Sequence, residues 1–151
     1  MQPSPLQLEG HHFTRIQISA REGAADDSQN KVECELGYGV DNTNPRRHRV
    51  TLKLKLSEFP DKTPAYTGEF EIVGYFVVVD AWPEDKIAQL VTANGPSVLY
   101  GSVREMVINL TCRLPHGPIS IPTVRFPPLV EEKPEPKAEK VARKRIKTAK
   151  K

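Results

Sequence analysis

Four stretches of this chain alternate apolar and polar residues with a period of two. In the first, Ile16, Ile18 and Ala20 alternate with Gln17 and Ser19, which predicts a half-buried strand from about His12 to Ala20. After the polar break from Gly23 to Asn30, Val32, Cys34, Leu36, Tyr38 and Val40 alternate without a slip with Lys31, Glu33, Glu35, Gly37 and Gly39. The turn formers Asp41-Asn42-Thr43-Asn44-Pro45 separate this run from the cleanest one, Val50, Leu52, Leu54 and Leu56 against Thr51, Lys53, Lys55 and Ser57. Beyond a turn from Pro60 to Pro64, Tyr66, Gly68, Phe70 and Ile72 alternate with Thr67, Glu69 and Glu71. Short turns favour antiparallel pairing, and the single apolar face of such a sheet must be covered.

The second half of the body supplies the cover. Pro83-Glu84-Asp85 suits a first helical turn and Asn94-Gly95 a stop, which predicts a short helix over Glu84–Thr92. A second helix is expected from about Ser97 to Arg113, with Leu99, Val103, Met106, Leu110 and Leu114 recurring at three and four and Val107 widening the stripe. Glu105, Asn109 and Arg113 form its polar side, while Val98 and Ile108 fall outside the stripe. Two ordinary core helices account for most of this pattern. Pro115 and Gly117-Pro118 end the second helix, and Ile119, Ile121, Val124 and Phe126 follow in an extended segment that Pro122 bars from a central strand. The fold class expected is α+β, a four-stranded antiparallel sheet covered on one face by helices. From Pro127 the sequence turns to Glu, Lys, Pro and Ala, too poor in bulky apolar groups to offset its ordering entropy. The expected division is a flexible N-terminus, 1–11, a domain, 12–128, and a basic disordered tail, 129–151.

A length of 151 residues with 38% hydrophobic and 27% charged suits one domain. A mean hydropathy of −0.48 and the lack of a long uncharged apolar run exclude a membrane-spanning helix. Met1-Gln2-Pro3-Ser4-Pro5-Leu6 shows no export signal, and two cysteines, Cys34 and Cys112, form no disulfide framework, so buried thiols and a cytoplasmic location are expected. From Glu131 onward seven Lys and two Arg face four Glu, whereas the rest carries 13 basic and 15 acidic residues. The pI of about 8.9 therefore belongs to the tail, and the body is no nucleic-acid face.

Catalytic chemistry is not legible. His11-His12, His48 and His116 fall on termini or loops without metal-ligand spacing, and no metal or cofactor is expected. Gly37-Tyr38-Gly39 lacks the third glycine and following helix of a dinucleotide site. Cys112 lies late in a helix, where the dipole disfavours a thiolate. The chain does not read as an enzyme.

Leu99-Tyr100-Gly101-Ser102-Val103-Arg104-Glu105, running on through Arg113 and then Ile119 to Phe126, resembles the SecB export chaperones. That family carries a Leu-Phe-Pro-Tyr-Ala-Arg-Glu helix start, a Leu and an Arg further along, and a Leu-x-Leu-x-Pro-Val-Asn-Phe segment. Arg104-Glu105, Leu110, Arg113, Val124 and Phe126 match in identity, and Ile119 and Ile121 stand for the two leucines. Gly68-Glu69-Phe70 through Gly74-Tyr75-Phe76 is similar to the family's last strand and its glycine-aromatic exit, so the likeness spans about residues 12–126. Gly101-Ser102-Val103 stands where the family has Pro-Tyr-Ala and Arg125 where it has Asn. No apolar helix follows Phe126, and the tail is basic and free of cysteine where family members carry an acidic, zinc-binding tail that docks the SecA motor.

The resemblance implies an ATP-independent holdase, a homotetrameric dimer of dimers that keeps unfolded or preprotein polypeptides in apolar grooves, with SecA as a partner and no membrane insertion. Groove candidates are Tyr75, Phe76, Val78, Trp82, Leu99, Tyr100 and Phe126; Val103, Met106, Val107 and Leu110 are expected at a subunit interface or as sheet cover. This reading depends on open apolar grooves, and a sealed lone subunit with the rings near Phe76 and Tyr100 packed inward would end it. Two alternatives stand beside it. One is a chaperone dedicated to a toxin–antitoxin system, with an antitoxin as client. The other is a nucleic-acid-associated protein using Lys137–Lys151 as a cationic arm.

Overall fold

The computed structural model describes residues 1–24 and 30–128, so the tail expected to be disordered, 129–151, lies outside the described residues. Strands β1 (Leu6–Ala20), β2 (Lys31–Val40), β3 (Arg47–Ser57) and β4 (Tyr66–Val78) precede a 3₁₀ turn, Glu84–Lys86, and one helix, α1 (Ile87–Thr111). All neighbouring strands are antiparallel, in the order β1-β4-β3-β2, so β1 and β2 are the two edges.

Strand β1 begins at Leu6, which corrects the expectation of a flexible segment over 1–11. Register shifts between Leu8 and Gly10 and between Phe13 and Arg15 each insert a residue. They move the apolar phase from Leu6 and Leu8 to His11 and Phe13, and then to Ile16 and Ile18, so no single period-two pattern runs through the strand. β4 runs six residues beyond Ile72, as far as Val78. Alternation along it turns Phe70, Ile72, Phe76 and Val78 towards the helix and Glu69, Glu71 and Tyr75 away.

The expected pair of helices is one. Asn94-Gly95-Pro96 lies inside α1 rather than ending it. Gly95 is required by close approach: a Cβ there would meet Val50 Cγ2 at 3.0 Å. Pro96 has no N–H for the Thr92 carbonyl, and that oxygen instead accepts the Tyr38 hydroxyl at 3.4 Å. Thr92, Asn94 and Ser97, residue types that favour caps, bond back to the carbonyls of Ala88, Leu90 and Ala93. The helix packs on β4, β3 and β1. Val50, Leu52, Leu54, Leu56, Phe70, Ile72, Phe76, Leu99, Val103 and Val107 form a core that solvent hardly reaches.

Gly74 and Gly101 test this packing in opposite directions. A Cβ at Gly74 would lie 2.6 Å from Leu99 Cδ2, whereas one at Gly101 meets nothing within 4 Å. Gly74→Ala should lower the urea unfolding midpoint by an amount equivalent to about 1–3 kcal/mol. Gly101→Ala should raise it by about 0.5–1 kcal/mol. An unmoved midpoint for Gly74→Ala would contradict the placement of Leu99.

Candidate functional site

The seven groove candidates do not converge. Phe76, Val78, Leu99 and Tyr100 are buried in the core beneath or along α1, so these four side chains line no open groove of the single chain. The reason is the period of β4, which carries Phe76 and Val78 inward once the strand continues past Gly74. Tyr75 goes to the opposite face, where it stacks on His12 at 6.0 Å between centroids. Trp82 is half-buried beyond β4, and its backbone carbonyl accepts from Arg46, whose guanidinium also reaches Asp80 and Glu84. Phe126 is half-buried against Tyr100, ring edge to ring face at 5.8 Å. Of the helix candidates, Val103 and Val107 cover the sheet, while Met106 and Leu110 are half-buried at its margin.

The chain returns over the core after α1, held by side-chain hydroxyls. Tyr66 donates to Gly117 O at 2.8 Å and accepts from His116 N, and Thr111, itself buried, accepts from Ile119 N at 3.0 Å. Tyr100 donates to Pro122 O at 2.6 Å, and Ile121 is buried. Burial pushes the Tyr100 phenol up. Burial also pushes the Cys34 thiol up, which makes it a poor nucleophile.

The open apolar surface lies at the edges of the sheet. On the helix-facing side of β2, Leu36, Tyr38 and Val40 are 38%, 39% and 59% exposed. Leu8 and Ile16 of β1 are exposed on the same side of the sheet, and Val98 and Ile108 on the outer side of α1. Sequence reading missed these residues as a group. No signal in the sequence marked them: the expected pair of helices hid the shortfall in width, which is that one helix about 10–12 Å across cannot cover four strands about 4.8 Å apart.

The other face of the sheet is charged in columns: Arg15 on β1, Glu69 and Glu71 on β4, Lys53 and Lys55 on β3, Glu33 and Glu35 on β2. Arg15 pairs with Glu69 at 2.8 Å, Lys53 with Glu71 at 3.9 Å and Lys31 with Glu33 at 2.8 Å. Hydrogen bonds from Lys31 and Ser57 hold the Glu33 carboxyl below its ordinary value. Glu35 has no ion pair or hydrogen bond among the described residues. Alternation of sign leaves no single-signed field for nucleic acid here. Among the described residues no cluster of three or more His, Cys, Asp or Glu could hold a metal, and no helix is long and apolar enough to cross a membrane.

Comparison with known proteins gives a consistent result. The family model for preprotein translocase subunit SecB matches residues 16–136. Protein-export protein SecB of Anaplasma marginale, in strains Florida and St. Maries, is 24% identical over 79 residues, 52% of this chain and 45% of that protein. The chain thus spans about half the length of the curated relatives it matches. A solved SecB-like chaperone from Mycobacterium tuberculosis, in complex with a ChAD peptide from the HigA1 antitoxin, superposes with a TM-score of 0.61 at 20% identity. The likeness covers 81% of this chain and 92% of that one, and it is a likeness of fold.

Two substitutions probe this region. Tyr100→Phe removes the tie to Pro122 and should cost about 0.5–1.5 kcal/mol in urea unfolding while hastening proteolysis after Arg125. An unchanged cleavage rate would mean that this tie does not hold the segment. His48 has its imidazole held below the ordinary value, chiefly by burial. The unfolded chain therefore takes up the proton first, and stability falls as pH drops through about 6.5 towards the folded value. His48→Gln should flatten the unfolding midpoint between about pH 7 and pH 5. Equal slopes for variant and parent would contradict the assignment.

Proposed function

The chain belongs to the SecB family, and we propose that it acts as an ATP-independent holdase for non-native polypeptides, assembled as a homotetramer. The observation that carries the reading is the apolar surface left uncovered along β2, β1 and the outside of α1 around a core that is already sealed. Leu36, Tyr38 and Val40 stand in a row on one side of one edge strand, and an uncovered apolar row of this kind supports an interaction surface. Each Å² buried contributes about 25 cal/mol, so many loose contacts hold an unfolded chain without reading its sequence. Holding lowers the free concentration of aggregation-prone chain by mass action and calls for no catalytic group.

Two kinds of cover divide this surface in the proposal. The outward stripe of α1, Val98, Gly101, Ile108 and Cys112, meets a second copy. The open side of β2 meets the client. A second reading, a chaperone dedicated to an antitoxin, draws support from the peptide bound to the Mycobacterium tuberculosis neighbour. It differs in client breadth and leaves the physical mechanism the same. A toxin–antitoxin gene pair beside this gene would favour the dedicated role.

The purified chain should suppress aggregation of a denatured test protein without ATP and should sediment well above the mass of one copy. Val98→Asp with Ile108→Asp should lower the particle mass, and Leu36→Ser with Val40→Ser should weaken suppression several-fold at unchanged mass. A monodisperse monomer that leaves aggregation untouched would overturn the proposal.

A further inference from the structure

We propose that the basic run Lys137–Lys147 of this same chain docks on the open edge of β2, as an internal occupant that an incoming polypeptide must displace. The charge, continuity and position of the edge carry this inference.

β2 is the less protected of the two edges. Its ten residues pair with β3 without a register shift, and it contains no proline, whereas β1 is interrupted by two bulges. An edge this regular leaves a row of unpaired N–H and C=O groups open to another strand. Sign alternates column by column across the sheet and ends on the acidic pair Glu33 and Glu35 at β2. A further strand on this side should therefore be basic, and Glu35 has no charge partner among the described residues. A second copy pairing β2 to β2 would bring two such acidic pairs onto the same seam. A second copy's β1 would bring its bulges.

The tail of this chain has the required chemistry. Arg143 and Arg145 stand two residues apart, the same spacing as Glu33 and Glu35, with Lys144 between them, Ala142 and Ile146 flanking them and Lys140 and Lys147 beyond. It also starts in the right place. Phe126 packs on Tyr100, and Tyr100 belongs to the core against which Cys34 of β2 packs. The ten residues Pro127–Pro136 span up to about 33 Å, comparable with the length of β2, so the basic run can reach any part of it. Tethering gives an effective concentration of order millimolar, so weak pairing suffices to occupy the edge. A client with more apolar contact then competes by displacement.

Zero-length carbodiimide cross-linking of the full chain tests the docking directly. The expected products join Glu33 or Glu35 to Lys147, which shares the strand face of Arg143 and Arg145, within one copy, at a yield independent of protein concentration. That yield should fall in about 1 M salt, where screening acts within about 3 Å. Arg143→Glu with Arg145→Glu, which leaves the coupled carboxylates and amine in place, should cut it roughly tenfold. Absence of these products, indifference to the charge reversal, or products formed only between copies would overturn the proposal. Cross-linking does not depend on chaperone activity, so the docking and the holdase reading fail separately. If both hold, the Arg143→Glu, Arg145→Glu chain should suppress aggregation better than its parent, and equal or poorer suppression would refute competition at this edge.

Discussion

Among the described residues, a single helix laid on four strands is the constraint behind the rest of the structure. α1 is wide enough to seal β3 and β4, and there the apolar residues lose nearly all contact with water. The same helix cannot also roof both edges, so β1 and β2 keep apolar side chains on a face that in a thicker fold would be interior. The return segment after Thr111 narrows the gap but has one fully buried side chain, Ile121, to close it. Incomplete cover by the described residues thus follows from their element count and does not depend on any one residue.

Period-two alternation made β2, β3 and most of β4 legible, because each has one phase throughout. β1 was half legible, since its two bulges reset the phase and hid Leu6 and Leu8 from any fixed-period reading. The helix was misjudged for a different reason. Asn94-Gly95 followed by Pro96 is a strong local stop, but tertiary packing reversed its meaning. Gly95 is there to let Val50 approach, and the acceptor that Pro96 leaves is met by a tyrosine from a strand far away in sequence. Local signals cannot anticipate a partner supplied by the sheet.

The family was readable from the Arg104-Glu105 helix and the segment ending at Phe126, whereas the placement of the site was not. Aromatic residues near a motif invite assignment to a groove, yet large rings are also what a small core uses to fill space. Phe76 and Tyr100 do the latter. The open surface is made of Leu36, Tyr38, Val40 and their neighbours, ordinary strand residues whose exposure depends on what fails to cover them. Exposure by omission leaves no mark in a sequence pattern.

The return segment has a consequence for how the molecule comes apart. It joins no strand ladder. Its ties are hydroxyls of Thr111, Tyr66 and Tyr100, each worth about 1 kcal/mol net, the buried Ile121, worth about 1.5–3 kcal/mol, and the half-buried Ile119 and Phe126. The sheet opens only with the whole core, but this segment can lift at a small part of that cost. The native basin therefore holds two levels of order, and amide exchange from residues 118 to 126 should run far ahead of exchange from β3.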